Sequence, residues 1–357
     1  MSGSIEEKYI AWRNRYLRSY ADGFYIYYKE PKEKLPEMTC SEAHGYGMLI
    51  SVLKRNQQDF DGLCRYFLRF RNRYGLMQWQ QQQKGHQGAF IPGGEGGENC
   101  ATDGDVDIAT ALFLAAKIWG HGGQQREIDY RAIAIQLCGA IWEKCINHRT
   151  HMPLVGDWCD EGDDAYKLTR PSDFILSGYL LFAREDTQRS QQWHGVCNAI
   201  INEVQRQFSI HPNTGLLADF LQLNRQGVYE IPRGEVLEDK HDPDYNWNSC
   251  RVPWRLGHYY LQTRDERLGP VLNAQANFFS QELRRHGEIR AGYHLNGKSF
   301  VDYTDMAFLA PVSFLFWVLG RMDDLNKITS CMNEQDENTY FGETIAMLCL
   351  LQSAVQF

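Results

Sequence analysis

The sequence predicts an all-α fold, an (α/α)6 barrel of about twelve helices whose long loops meet at one end. Apolar residues recur with helical spacing along most of the 357 residues, and no convincing run of alternating strand-like residues competes with them. Short and long connections alternate between the helices, so an up-and-down series places every long connection at the same end. Loops longer than about 15 residues inside a compact domain are usually functional.

The elements are expected in a simple order along the chain. The predicted helices span 5–19, 41–55, 57–72, 104–119, 126–147, 170–185, 188–209, 248–264, 266–285, 303–319, 322–333 and 339–353. The long connections span 20–40, 73–103, 148–169, 210–247 and 286–302, and each of them precedes an even-numbered helix. The open end is therefore built from these loops and from the N-termini of the even helices. The whole chain, 1–357, is expected to form a single domain.

Composition excludes two classes of protein. A formal charge of −8 and a pI near 5.8 argue against nucleic-acid binding, which usually needs a basic patch. No run of 18 apolar residues is present, so we expect no transmembrane helix and no membrane partner. The opening MSGS contains no visible signal peptide. A soluble monomer is expected.

Acidic residues gather at the starts of the even helices. They are Glu42, Asp103, Asp105, Asp107, Asp157, Asp173, Glu238, Asp305 and Glu343. Random helix capping would spread acids over both ends of the barrel, so their convergence favours a functional site. Three tryptophans in polar stretches, Trp79, Trp158 and Trp247, are candidates for stacking on sugar rings, and core packing explains them equally well.

Paired carboxyl groups at one end suit the hydrolysis of a glycosidic bond. One carboxyl protonates the leaving oxygen, and the other activates water or attacks the sugar directly. The donor must stay protonated near neutral pH, which requires surroundings that raise its pKa. Apolar and acidic neighbours would raise the pKa of Glu42, whereas the helix N-terminus would lower it. The sequence leaves that balance open.

Several motifs resemble glycoside hydrolase family 8. In order they are SEAHGYGM, ATDGDVDIATALFLAAKIW, GDW, TRPSDF, GLLADF and YNWNSCRVPWR, all within residues 41–255, followed by YFGETIAMLCLL. The second motif departs from the family pattern at Phe113, where a smaller residue is usual. The resemblance implies an (α/α)6 barrel, a polysaccharide substrate, inversion of anomeric configuration, and no metal or cofactor.

The resemblance also implies roles for individual residues. Glu42 matches the general acid, and Asp103 matches the aspartate that grips the sugar beside the cleaved bond. Many members carry an aspartate base where this chain has Asn248, and an amide cannot take a proton from water. One subgroup with asparagine there takes its base from the preceding loop, which here indicates Glu238. Its carboxyl is expected roughly 6.5–9.5 Å from that of Glu42, which leaves room for a water.

Other residues at the same end have alternative roles. Glu230 and Glu235 are alternative bases, Asp105 and Asp107 are expected to be structural, and Asn248, Arg251, Tyr303 and His44 are candidate substrate contacts. We favour an ion pair between Arg251 and Asp173 that holds the loops. His44 either touches the sugar or orients Glu42, and a packed, hydrogen-bonded histidine is an equal alternative.

The function expected from these residues is that of an inverting endo-β-1,4-glycosidase acting outside the cell. Chitosan is slightly preferred over lichenan or cellulose, because the acid-rich stretch DWCDEGDDAY suits a cationic polymer. A polysaccharide lyase using Tyr303 or His44 and a non-catalytic carbohydrate-binding protein are the more remote alternatives.

Overall fold

The computed structural model describes residues 3–28, 37–85, 88–335 and 339–355. Within these ranges the chain forms twelve α-helices. They are α1 Ile5–Tyr16, α2 Ser41–Leu53, α3 Gln57–Arg69, α4 Thr102–Trp119, α5 Tyr130–Cys145, α6 Leu176–Glu185, α7 Ser190–Ile210, α8 Val252–Thr263, α9 Gly269–His286, α10 Met306–Val318, α11 Met322–Asn333 and α12 Tyr340–Ala354. The predicted number and order of helices are confirmed.

The helices form two concentric rings, as an (α/α)6 barrel requires. Each even-numbered helix contacts the next even-numbered one, and α12 returns to α2 to close the inner ring. Each of α3, α5, α7, α9 and α11 packs on the even helix before it, and α1 packs on α12. Burial follows this division: nearly every residue of inner helix α10 is buried, whereas outer helix α11 buries only Asp324 and Ile328.

In the part of the chain that the structure describes, eight short strands lie in the connections, none longer than four residues. They are β1 Leu17–Tyr20, β2 Gly23–Ile26, β3 Glu37–Cys40, β4 Gln80–Gln83, β5 Phe90–Pro92, β6 Leu168–Thr169, β7 Leu221–Leu223 and β8 Tyr229–Glu230. They pair antiparallel in three sheets, β1-β2, β3-β4-β5 and β6-β7-β8. Strand β3 runs directly into α2, and its last residue, Cys40, pairs with Gln80, which fixes the position of the α2 N-terminus.

Helix α6 begins six residues later than predicted. A short 3-10 turn at Pro171–Asp173 precedes it, and Asp173 N–H donates to the Arg170 carbonyl oxygen at 2.7 Å. Proline cannot donate a backbone hydrogen bond and restricts the residue before it, so Pro171 delays the regular helix. Arg170 is consequently in the loop at the open end of the barrel.

The first and last helices meet at a seam that closes the double ring. Trp12 Nε1–H donates to Thr344 Oγ1 at 2.9 Å, and Tyr16 Oη–H donates to Glu343 at 2.6 Å. Arg15 forms an ion pair with Glu343 at 2.5 Å. Beside this seam, a cavity of about 550 Å³ with mostly apolar walls lies between α1, α10, α11 and α12. Within the described ranges, no helix has the length and apolarity needed to cross a membrane.

Candidate active site

Two glycines bring the first carboxyl groups of the site together. A Cβ at Gly45 would come within 2.8 Å of Asp107, and one at Gly104 within 2.7 Å of Ser41, so only glycine permits this approach of α2 and α4. Both helices start at the same end of the barrel. Their first turns therefore place Glu42 beside Asp103.

Arg251 lies at the start of α8 and connects this pair. Its Nη1 is 2.6 Å from Glu42 Oε2 and 3.4 Å from Asp103 Oδ2. The guanidinium is nearly completely buried, with 2% of the side chain exposed. Arg251 is therefore part of the polar floor of the site, and a bound sugar cannot reach most of it.

The two carboxyl groups have opposite pKa shifts. Burial raises the pKa of Glu42 to about 7, with Asp103 adding to the effect and Arg251 opposing it. Burial also acts to raise the pKa of Asp103, but Arg170 and Arg251 outweigh it and hold that pKa below its usual range. Near neutral pH a substantial fraction of Glu42 is thus protonated beside the Asp103 carboxylate.

Glu238 is joined to Glu42 by a path of three hydrogen bonds. From Glu42, the path runs through Arg251, whose Nη2–H donates to Asn248 Oδ1 at 2.9 Å. Asn248 Nδ2–H then donates to Glu238 Oε2 at 2.7 Å. Arg170 Nη1 lies 3.5 Å from Glu238 Oε1. The side chain of Glu238 is 45% exposed, compared with 22% for Glu42.

The prediction of an ion pair between Arg251 and Asp173 is wrong, because each residue pairs with a different partner. Asp173 pairs with Arg170 at 3.3 Å, three residues before it, while Arg251 points to Glu42. The 3-10 turn that delays α6 folds Arg170 back over Asp173, which explains the exchange. Burial raises the pKa of Asp173 to about 7 despite this pair.

A cleft of about 370 Å³ opens above Glu42 and Asp103. Its walls are Tyr28, Cys40, Glu42, Trp79, Ala101, Asp103, Arg170, Thr339, Tyr340 and Phe341. It shares no lining residue with the larger cavity beside the seam, which lacks the two carboxyl groups placed together here. The cleft is therefore the candidate substrate site, although the other cavity is larger.

The four aromatic candidates differ in their relation to the cleft. Trp79 lines it with 38% of its surface exposed. Trp247 is 37% exposed and contacts Phe341 at a ring-centroid distance of 6.3 Å, so it extends the wall. Trp158 and Tyr303 are exposed but do not line the cleft.

His44 does not face the cleft. It is fully buried, its Nε2 is 2.7 Å from the Leu63 carbonyl oxygen, and its ring stacks on Tyr66. Burial lowers the pKa of His44 to about 4, so the ring is neutral. The interpretation as a sugar contact is wrong, because this side of α2 faces α3 and not the open end; the alternative of a packed histidine fits.

Three other acids at the starts of the even helices stabilise the barrel. Asp105 accepts from the Met77 N–H at 2.9 Å, and Asp107 forms a buried bidentate pair with Arg255. Glu343 belongs to the seam between α1 and α12. Asp105 and Asp107 thus have the structural roles expected of them. No cluster of three or more histidine, cysteine or acidic residues suited to a metal occurs in the described part of the chain.

Sequence reasoning placed Arg170 at the start of the sixth helix without a role, and it missed two buried aspartates that shape the loop before α8. Asp219, in GLLADF, accepts from the N–H groups of Asn246, Asn248 and Ser249. Asp242 accepts from the N–H groups of residues 236–239. The motif TRPSDF is a usable signal for Arg170, whereas Asp242 is hidden in a stretch so acid-rich that it suggests a solvated loop.

Comparisons with known proteins agree with the motifs. The model of the family described as "Glycosyl hydrolases family 8" matches residues 12–354. A beta-glucanase from Niallia circulans is 33% identical over 357 residues, which cover 96% of this chain and 79% of the relative. Endoglucanase A from Acetivibrio thermocellus is 28% identical over 319 residues, covering 88% of this chain but 61% of the relative.

Solved structures give the same relationship in three dimensions. The apo structure of a beta-1,3-1,4-glucanase from Paenibacillus sp. X4 superposes with a TM-score of 0.88 and 28% identity, covering 99% of this chain and 92% of the other. A cold-adapted family 8 xylanase superposes with a TM-score of 0.79 over 98% of this chain and 91% of its own. At 17% identity, the xylanase establishes a common fold alone.

Proposed function

The chain belongs to glycosyl hydrolase family 8 and is a glycoside hydrolase, and on this premise we propose that it cleaves β-1,4-linked glucan chains internally with inversion at the anomeric carbon. The observation that carries the proposal is the hydrogen-bonded path from Glu42 through Arg251 and Asn248 to Glu238. It links the Glu42 carboxyl group, whose pKa is raised, to the half-exposed carboxyl group of Glu238.

Glu42 is the proposed general acid. Its pKa of about 7 keeps a substantial fraction protonated at neutral pH, where an ordinary glutamate is ionised. Its Oε2 accepts from Arg251, so Oε1 is the oxygen available to carry a proton to the glycosidic oxygen. Proton transfer to the leaving group lowers the barrier most when the acid has a pKa near the working pH.

Glu238 is the proposed base that takes a proton from the attacking water. Asn248 holds one carboxylate oxygen and Arg170 lies close to the other, so the side chain is oriented while it remains open to solvent. Glu230, by contrast, lies on edge strand β8, where its side chain accepts a hydrogen bond from Asn224 Nδ2–H at 3.2 Å. Inversion requires a water between base and sugar, which agrees with a base on a separate loop from the acid.

Asp103 is proposed to bind and distort the sugar at the cleavage point. It lines the cleft next to Glu42, and two arginines favour its charged form. A fixed carboxylate at this place can accept hydrogen bonds from sugar hydroxyls and stabilise positive charge that develops on the ring.

Mixed-linkage β-1,3-1,4-glucan is the substrate that we propose first, followed by cellulose. The relatives named beta-glucanase and beta-1,3-1,4-glucanase, with 33% and 28% identity, support this order. Arg170 in the wall of the cleft also suits a neutral polymer better than a cationic one. Chitosan stays as the third candidate, supported by the exposed acids of residues 160–164 next to Trp158.

The test is a side-by-side assay on lichenan, carboxymethylcellulose, chitosan and xylan, with proton NMR of the first products. We expect the fastest release of reducing ends from lichenan and α-configured new ends. β-configured ends would refute inversion, and an ultraviolet-absorbing product would indicate a lyase. Binding of the polymers without release of reducing ends would leave only a carbohydrate-binding protein. Because such polymers do not enter cells, we propose that the enzyme acts outside the cell. We also propose that it is a monomer.

A further inference from the structure

The loop that carries Glu238 has no regular secondary structure between β8 and the 3-10 turn at Ser249–Arg251. A half-exposed glutamate on such a loop would ordinarily sample several positions. A catalytic base, however, needs a fixed place, since a displacement of about 1 Å can cost on the order of 100-fold in rate. Something other than a helix or strand must therefore hold Glu238.

The side chain of Asp242 provides this support. Its Oδ2 accepts from three consecutive backbone N–H groups, those of Val236, Leu237 and Glu238, at 2.8, 2.8 and 3.0 Å. Its Oδ1 accepts from Asp239 N–H at 3.1 Å. Consecutive backbone N–H groups that converge in this way form a concave anion site, and here the chain fills it with its own carboxylate.

Asp242 is in turn attached to the barrel. Its side chain is 1% exposed, and its carbonyl oxygen accepts from Phe220 N–H at 3.0 Å. Val236, the first of the four residues whose N–H groups bind Asp242, packs on a small apolar cluster that contains Leu168 and Phe220. The segment that carries the four N–H groups is therefore held at both ends by the region around Phe220.

We propose that Asp242 is a positioning residue for catalysis, whose buried carboxylate fixes the backbone of residues 236–239 and thereby places Glu238 against Asn248 and the attacking water. This inference rests on the proposed role of Glu238 as the base. Asp242 itself does not touch the substrate; it acts through the backbone, while Asn248 and Arg170 orient the carboxylate.

The first test is the substitution Asp242→Asn, which keeps the size of the side chain but replaces one acceptor oxygen by a donor that opposes the N–H groups. We expect kcat to fall about 10- to 100-fold with KM nearly unchanged, in line with other partners that orient a catalytic group. The control is Asp239→Asn, in the same loop, whose exposed side chain accepts only from His241 N–H. An asparagine can do the same, so wild-type kcat is expected.

A double-mutant cycle separates positioning from general destabilisation. If Asp242 acts through Glu238, Asp242→Asn should cause no further loss in a Glu238→Gln background, measured on β-cellobiosyl fluoride, whose reaction still needs the base but no acid. A further 10-fold loss in that background would overturn the proposal. Wild-type activity in the Glu238→Gln variant would instead refute the base assignment. Loss of activity in Glu238→Gln together with wild-type activity in Asp242→Asn would refute the positioning role alone.

A measurement on the unmodified enzyme covers the case in which Asp242→Asn does not fold. Amide hydrogen exchange should be slow at residues 236–239, although this segment is irregular and mostly exposed, because each N–H is bonded to one buried carboxylate. Exchange as fast as at residues 233–235 of the same loop would overturn the proposal.

Discussion

The two proposed catalytic carboxyl groups are held in contrasting ways. Glu42 is in the first turn of an inner helix, where desolvation raises its pKa to about 7 although 22% of the side chain stays exposed. Glu238 is on an irregular loop, half-exposed and supported by backbone hydrogen bonds to Asp242. The acid is part of the rigid barrel, and the base is attached to it from outside.

The contrast follows from what each group must do. An acid that keeps its proton at neutral pH needs to be removed from water, and only the interior of the ring provides that environment. A base that activates water needs access to water and a fixed position, which a loop gives when a buried side chain holds its backbone. Arg251 serves both sides, since it bonds to Glu42 and to Asn248.

The largest effect is expected when the acid is removed. Glu42→Gln should lower the rate on lichenan about 10,000-fold, the upper range for loss of a general acid. Hydrolysis of β-cellobiosyl fluoride should fall far less, because fluoride leaves without protonation. Steady-state kinetics on both substrates measure the difference; equal losses on the two would argue against the acid role.

Removal of the base should lower the rates on both substrates equally. Glu238→Gln is expected to lower the rates on lichenan and on the fluoride alike, by about 1,000-fold, since water must be activated in both reactions. Oligosaccharide binding, measured by calorimetry, should stay within about twofold. Glu235→Gln, an exposed neighbour in the same loop, is the matched control, and loss of activity there would move the role of base to Glu235.

The shared arginine should matter for stability as well as for activity. Arg251→Met would remove the ion-pair partner of Glu42 and one of two arginine partners of the buried Asp103, and we expect the free energy of unfolding to fall by about 3–5 kcal/mol. Urea denaturation monitored by circular dichroism measures it. Arg149→Met removes an exposed ion pair with Glu161 and should change stability by less than about 1 kcal/mol.

The pH dependence distinguishes the two sides without mutation. Only protonated Glu42 can donate, so its pKa of about 7 predicts that kcat on lichenan falls about tenfold per pH unit once the pH exceeds 7. With β-cellobiosyl fluoride this alkaline limb should disappear. A limb at the same pH on both substrates would assign it to a group other than the acid.

The smallest effect is expected in the cleft wall. Trp79→Ala should raise KM for lichenan about fivefold, equivalent to roughly 1 kcal/mol, with little change in kcat, because the ring lines the cleft and we expect it to contact the polymer away from the reacting atoms. Trp158→Ala, equally exposed but outside the cleft lining, is the matched comparison and should leave KM unchanged. A larger change at Trp158 would shift the binding groove toward that loop.

The helices were predictable because they depend on local pattern, whereas the acid role of Glu42 follows from the resemblance of its motif and stays a proposal. Helical spacing and alternating loop lengths were enough for the order of the twelve helices, and Glu42 lies in a motif next to the glycine that permits close packing. His44 was misjudged as a sugar contact for the same reason: an inner helix is buried on nearly all sides, so periodicity does not indicate which side faces the cleft.

The support of the base was not predictable because it depends on long-range geometry. Asp242 lies among exposed acids, and nothing in its neighbours distinguishes a carboxylate that binds four N–H groups from one in water. The partner of Asp173 was wrong because a single proline changed the start of α6. Both features depend on the path of the backbone through a turn, and the spacing of residues in the sequence does not encode that path.

The seam between α1 and α12 also has a consequence for biosynthesis. Trp12 and Tyr16 find their hydrogen-bond partners 332 and 327 residues further along the chain. At about 5–20 residues per second, the ribosome delivers those partners on the order of tens of seconds after α1 has emerged. Throughout that interval the indole N–H of Trp12 and the hydroxyl of Tyr16 lack these partners, so the double ring can close only after the last helix has been made.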